Sequence, residues 1–311
     1  MSHSSKPFCR QSATQSRLQL RAKIIQAVRQ FFYEQDYLEV ETPHRVPVIA
    51  PEAHIEAEMS GTWFLHTSPE LCMKRLLAAG YPRIFQICRC FRAGERGSKH
   101  LPEFTLLEWY GAGMDYFDMM AECENLLGFT ARALGSEERL VYQGRKVDLN
   151  PPWERLTVAA AFDRYASQSL EDALLNDRFD EVIAFEIEPR LGNEKPVFLY
   201  DYPAQKGALA RLKPGHPKVA QRFELYVCGL ELCNAFDELT DPLEQRRRFE
   251  VDGQVRAAAG KAAYPLPEKF LEALGDMPPA AGNALGLDRL VMLFSDAAQI
   301  DAVVAFTPEE L

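Results

Sequence analysis

Arginines and carboxylates stand in this chain where apolar runs begin and end. Arg89-Cys90-Phe91-Arg92 closes one such run, and Pro102-Glu103-Phe104-Thr105-Leu106-Leu107-Glu108, continuing to Tyr110, opens another. The pattern predicts two antiparallel strands, 83–92 and 103–112, joined by a turn-rich loop with polar groups on one face. Far downstream, Gly286-Leu287-Asp288-Arg289 sets an arginine at the start of a helix spanning 287–294, after the small residues Gly282, Ala284 and Gly286. Small residues allow a ligand to approach the backbone closely. An arginine ending a strand at a cleft can clamp a phosphate bidentately and stays charged at any working pH. Two fixed cations above a carboxylate-lined floor suit a nucleoside triphosphate and an amine held side by side.

The carboxylates Glu224, Glu231 and Glu238 recur every seven residues, which on a helix would mean one face. Gly229 and the β-formers Phe223, Tyr226 and Val227 argue instead for two strands with a turn. In that arrangement Glu224 and Glu231 flank one turn and can share a hard cation through oxygen ligands, as Mg2+ bound to ATP prefers. A solvated acidic rim is the alternative that spacing alone leaves open.

The elements that must position these groups read as follows. Apolar residues at helical spacing predict an amphipathic helix over 17–35, preceded by a polar tail at 1–16. A short strand follows, terminated by Pro43. Ser68-Pro69-Glu70 is a helix start, with Ser at the cap, Pro in the first turn and an acid beside it; Gly80 is the stop. Another helix covers 115–134. The segment 140–195 carries a hairpin around Gln143-Gly144 and one or two helices, and reads as an insertion. Strands return at 196–201 and through 221–238, a charged helix covers 242–260, Pro278-Pro279 marks a loop, and a last strand covers 302–306. The expectation is one α+β domain, a mainly antiparallel sheet flanked by helices, with no internal repeat.

Composition sets bounds. The chain has 311 residues, of which 47% are apolar and 11% aromatic, enough for a large core. Its net charge of −10 is the opposite of what gripping a long nucleic acid requires. No apolar run nears the roughly 18 residues that span a bilayer, and the Ser-rich N-terminus lacks a signal-peptide core. Seven scattered cysteines fit a reducing cytoplasm. Cys88 and Cys90 share a strand face, but no Cys/His pair follows at zinc spacing, so structural thiols are expected.

These stretches resemble motifs 2 and 3 of the class II aminoacyl-tRNA synthetases, specifically the lysyl branch, and 17–306 resembles that catalytic domain throughout. The segment ending at Pro43 resembles motif 1, which in this family builds a homodimer interface. The resemblance implies that Arg92 contacts the α-phosphate of ATP and the substrate carboxylate, Phe104 stacks on adenine, and Arg289 meets the γ-phosphate. His100 lies in the motif 2 loop near ATP. Glu224 and Glu231 would hold Mg2+, with Glu231, Leu232 and Gly286 beside the nucleotide. Ser68 and Glu70 match the loop that binds the backbone-side amine, and Glu108, Tyr110, Asn234 and Glu238 the pocket for the lysine side chain. Motif 2 departs from the lysyl pattern: Arg92-Ala93-Gly94-Glu95 replaces Arg-Asn-Glu, and His100-Leu101-Pro102-Glu103 replaces His-Asn-Pro-Glu. Gly94, Glu95 and Leu101 are retained as ATP neighbours.

Lysyl-tRNA synthetases carry an anticodon-binding OB-fold before motif 1; here only residues 1–16 precede the first expected helix. Motif 3 reads Ala284-Leu285-Gly286 where those enzymes have Gly-Leu-Gly, so an extra methyl group reshapes the amino-acid pocket. Both features resemble the truncated paralogues that ligate (R)-β-lysine to elongation factor P. The implied activity is adenylation of (R)-β-lysine, or lysine, and transfer to a lysine amine of that acceptor, without stable tRNA binding. Two rivals are a catalytically inactive paralogue serving as a regulatory subunit, and a free-standing enzyme charging tRNA with lysine.

Overall fold

The computed structural model describes residues 9–207 and 209–311. The chain opens with helix α1 (Cys9–Glu34) and continues through β1 (Leu38–Glu39), β2 (Arg45–Val46), β3 (Met59–Ser60), β4 (Trp63–Leu65) and helix α2 (Glu70–Ala78). The long strands β5 (Arg83–Phe91) and β6 (Glu103–Ala112) then lead into α3 (Tyr116–Ala133), the hairpin β7 (Arg139–Tyr142) and β8 (Arg145–Asp148), and β9 (Glu154–Thr157). Three short helices, α4 (Val158–Tyr165), α5 (Leu170–Leu175) and α6 (Phe179–Val182), precede β10 (Val197–Pro203), β11 (Leu212–Lys213), β12 (His216–Val227) and β13 (Leu230–Asp237). Helices α7 (Pro242–Ala258) and α8 (Glu268–Leu274), strand β14 (Ala280–Gly286) and helix α9 (Leu287–Phe294) complete it.

The main sheet runs β1-β5-β6-β14-β13-β12-β10-β9, with β11 on β12; its six central strands are antiparallel and each end is closed by a parallel pair. Side chains alternate between two faces. Phe85, Leu107, Trp109, Ala235, Ala281, Leu285, Phe223 and Leu225 enter one core with α1, α3 and α9. Phe32 of α1 stacks on Phe85 with centroids 4.7 Å apart. On the opposite face Ile84, Tyr110 and Phe236 pack with Met73 and Leu77 of α2 and with Phe249, Phe270 and Leu274 of α7 and α8. The rest of that face is left for polar groups.

The local signals act as expected in several places. Asp115 caps α3 with a capping box completed by Asp118. Cys228 and Gly229, at φ 52° and 71°, form the two-residue turn between β12 and β13, the twist-compatible geometry that needs positive φ twice. Gly80, at φ 93°, ends the turn after α2.

Other boundaries differ. Helix α1 begins at Cys9, so 9–16 are helical where a tail was expected, and residues 1–8 lie outside the described ones. Arg10 anchors that first turn to Glu310 and to the carbonyl of Ala305. The strand expected before Pro43 contracts to two residues. Helix α8 was not anticipated. Residues 300–303 form a 3-10 turn rather than a last strand. The small residues before Arg289 belong to β14, a strand in the middle of the sheet: its two neighbours supply the pairing that its own residues do not favour. The segment 140–195 contributes β9 to the main sheet, and its helices close a core of Leu156, Phe162, Phe179 and Ile187 against Leu199 and Tyr226.

Candidate active site

Cross-strand pairing lines up the site. Glu108 of β6 pairs with Ala284 of β14, Ala284 with Asn234 of β13, and Asn234 with Glu224 of β12. This row crosses four strands on one face. In the next row, Tyr110 pairs with Gly282, Gly282 with Phe236, and Phe236 with Arg222. Gly282 is required: a Cβ there would run into the Tyr110 ring and Glu238 Oε1.

One end of the rows is an amine-sized acidic pocket. Ser68 Oγ donates to Glu108 Oε1 at 2.5 Å and accepts from the Glu70 N–H at 3.0 Å; Tyr110 OH donates to Glu108 Oε2 at 2.9 Å. So the serine expected to cap α2 also orients a carboxylate. Lys74, one turn after Glu70, bonds Glu70 and lies 2.5 Å from Glu238 Oε2. That second contact is a buried ion pair, and Glu238 Oε1 is left without a hydrogen-bond donor. Burial pushes Glu108 up to about 8, with Glu70 adding to it and the Ser68 and Tyr110 bonds opposing it. Burial also raises Glu238, against the pull of Lys74, while the two acids outweigh burial at Lys74 and keep it charged. Glu70 and Glu238 share the Lys74 ammonium and Glu108 stands beside Glu70, so the pocket holds more acid groups than cations and suits a further ammonium.

The other end is a cleft of about 620 Å³ whose lining includes Arg92, Glu95, His100, Phe104, Glu231 and Arg289. Gly94, Leu101, Leu232, Asn234, Ala284 and Gly286 also line it, so the cleft and the acidic pocket meet at Asn234 and Ala284. Arg92 sits over the Phe104 ring, 5.1 Å from its centroid, and its Nε is buried without a partner. Glu95 lies 3.9 Å from Arg92 Nη1. Arg289 bonds Glu231 at 3.1 Å and His100 Nε2 at 2.6 Å. Burial and that guanidinium lower the His100 pKa.

Glu224 and Glu231 come from the two strands of the β12–β13 hairpin. Glu224 Oε1 accepts from Arg222, and Oε2 from Tyr202 and Tyr226, both at 2.6 Å. Burial raises Glu224 and neighbouring Glu231 raises it further, Arg222 opposing; at Glu231 the guanidinium of Arg289 outweighs burial and holds the acid down. An all-oxygen donor set with two mutually repelling carboxylates fits a hard divalent cation.

Four participants carried no sequence signal of their own. Lys74 looks like the surface partner of an i,i+4 pair. Arg222 bonds both Asn234 and Glu224. Glu188 Oε1 lies 3.1 Å from the Tyr226 hydroxyl, near Glu224 and Glu231. Glu52 lines the cleft, and burial raises it to about 7 against the pull of Arg92.

The family model for class II tRNA synthetases (D, K and N) matches residues 7–310. The elongation factor P–(R)-β-lysine ligase of Vibrio atlanticus is 40% identical over 316 aligned residues, covering 95% of this chain and 96% of its own. The ligases of that name from Edwardsiella ictaluri and Haemophilus influenzae are 41% and 40% identical, with the same coverage. With the fold, the motif order and these similarities in agreement, the chain belongs to the class II (D, K and N) tRNA synthetase family and groups there with the elongation factor P–(R)-β-lysine ligases.

Proposed function

We propose that the chain is an ATP-dependent ligase that activates (R)-β-lysine as an acyl-adenylate and transfers it to a lysine amine of elongation factor P. The observation that carries this reading is the continuity of the row Glu108–Ala284–Asn234–Glu224. It joins an acidic amine pocket to an arginine-lined cleft without a break. A substrate with amines at one end and a carboxylate at the other spans the two.

In the first step a substrate carboxylate oxygen attacks the α-phosphorus of ATP. The bond to the bridging oxygen breaks and pyrophosphate leaves with its electron pair. Arg92 binds α-phosphate oxygens and the carboxylate; Arg289 exchanges Glu231 and His100 for the γ-phosphate. Phe104 offers its ring to adenine. Gly94, Glu95, Leu101 and His100 line the nucleotide on the loop side, and Leu232 and Gly286 from the sheet. Glu224 and Glu231 would hold Mg2+, which neutralises phosphate charge when bound. Ser68 and Glu70 take the amine nearest the carboxylate, and Glu108, Tyr110, Asn234 and Glu238 the distal ammonium. In the second step the acceptor amine attacks the activated carbonyl carbon. The C–O bond to AMP breaks, an amide forms, AMP leaves, and the amine's extra proton passes to solvent. Positioning supplies much of the acceleration, and no side chain becomes covalently bonded.

The same reading makes the chain a cytoplasmic homodimer, supported by Leu38, Met59 and Trp63, which stand exposed around the motif 1-like segment. The net charge of −10 argues against stable tRNA binding. No helix among the described residues is long and apolar enough to cross a membrane. The test is intact-mass analysis of purified elongation factor P after incubation with the chain, ATP and (R)-β-lysine. The expected result is a gain of one β-lysyl group on one lysine. Adenylation without any transfer to this acceptor would overturn the assignment of the acceptor.

A further inference from the structure

Beside the amine pocket, on the same sheet face, three side chains converge that the proposed reaction does not use. Cys88 pairs with Leu106 and Cys90 with Phe104, so the alternation of β5 turns both thiols to the face that carries Glu108. His66 follows β4 and is pinned to the end of β5: its carbonyl accepts from the Phe91 N–H at 3.0 Å, and its own N–H bonds the His44 carbonyl at 2.8 Å. The two sulfurs are 3.9 Å apart, Cys90 Sγ is 3.9 Å from His66 Nε2, and the three ligand atoms all lie within 4.8 Å of one another. All three residues are buried.

We propose that His66, Cys88 and Cys90 form a binding site for a thiophilic d10 ion, with Zn2+ as the fitting divalent member. Tetrahedral zinc with Zn–S near 2.3 Å holds two thiolates roughly 3.8 Å apart, close to the spacing here. Two thiolates and an imidazole select Zn2+ over Mg2+ or Ca2+, which take oxygen ligands. Bound ligands must be deprotonated. His66 Nε2 also faces the Arg89 carbonyl at 2.7 Å and exchanges that contact for the metal. The ring of His44 lies alongside, its centroid 5.1 Å from that of His66. A groove lined by Glu41, Thr42, His44, Gln86 and Cys88 supplies the entry path. A metal here would rivet the segment leading to Ser68 and Glu70 onto the strand that ends before Arg92, coupling the amine pocket to the phosphate clamp.

The test uses the full chain, reduced and stripped with a chelator, titrated with Co2+ and then Zn2+. The expected result is one equivalent of Co2+ giving a thiolate-to-cobalt charge-transfer band and tetrahedral d–d bands, both bleached by Zn2+. Zn2+ should also raise the Tm and, in urea that exposes the buried thiols of the metal-free chain, protect Cys88 and Cys90 from alkylation, mapped by peptide mass, while leaving Cys72 and Cys228 as reactive as before. C88S and C90S should each lose the charge-transfer band and C72S should keep it. Absence of the band from the unmodified chain would overturn the site, whether or not the variants fold. So would its survival in both C88S and C90S, or protection that falls on Cys72 or Cys228.

Discussion

Ala284 pairs with Glu108 across the β14–β6 ladder, so its methyl group and a buried carboxylate are cross-strand neighbours on one face. Its other neighbour is Asn234. The methyl group therefore stands in the floor of the proposed pocket, between two of the groups that would hold the distal ammonium.

Replacing it with glycine should relax selectivity. One methyl group in a binding pocket is worth about 1–3 kcal/mol of discrimination, or roughly 10–200-fold. In A284G, the ratio of kcat/KM for α-lysine to that for (R)-β-lysine should rise by at least about tenfold. Pyrophosphate exchange with each substrate measures it. An unchanged ratio would remove Ala284 from the pocket.

Lys74 should be held in place by charge and not by packing alone. K74M leaves Glu70 and Glu238 facing each other in a buried site, and stability should fall by about 3–5 kcal/mol, read by urea denaturation. The double variant K74M/E238Q should recover part of that loss, because it also removes one of the uncompensated charges. A strictly additive double variant would contradict the ion-pair account.

The acidic pocket gives substrate binding a direction with pH. Burial holds Glu108 at about 8 and raises Glu238, so an empty pocket keeps protons below that value. An ammonium favours the carboxylates, so binding expels protons, and affinity grows as pH rises from 6 toward 8 before levelling. The KM for (R)-β-lysine should fall across that window while the KM for ATP does not follow. E108Q should raise the KM and flatten the slope. Calorimetry in buffers of different ionisation heat should register proton release.

Much of this arrangement is legible in the residues. The paired strands around Arg92 and Glu108 announce themselves as apolar runs on either side of a turn-rich loop, and Cys228-Gly229 by turn chemistry. Strand β14 does not, because Ala280, Ala281, Gly282 and Ala284 are poor strand formers. At Gly282 anything larger than a hydrogen would run into the Tyr110 ring and Glu238. Lys74 was hidden because a helix pattern cannot say that it is itself buried between Glu70 and Glu238. His66 lies far from Cys88 in sequence, so zinc spacing rules pass over it; only β4 folding back toward β5 brings them together.

Arg289 links two parts of the proposed nucleotide site, Glu231 and His100. R289A should lower kcat for pyrophosphate exchange by about 10²–10³, the usual loss when one charge-stabilising donor is removed. Its far-UV circular dichroism should match that of the unmodified chain. Exchange at the unmodified rate would exclude Arg289 from the phosphate clamp.

The most direct test of the central claim is ATP–pyrophosphate exchange with (R)-β-lysine and α-lysine in parallel, without tRNA. The account predicts robust exchange with a strong preference for (R)-β-lysine, abolished in R92A. A preference for α-lysine would contradict it in favour of a lysine-activating enzyme with another acceptor, and silence with both would contradict it in favour of an inactive paralogue.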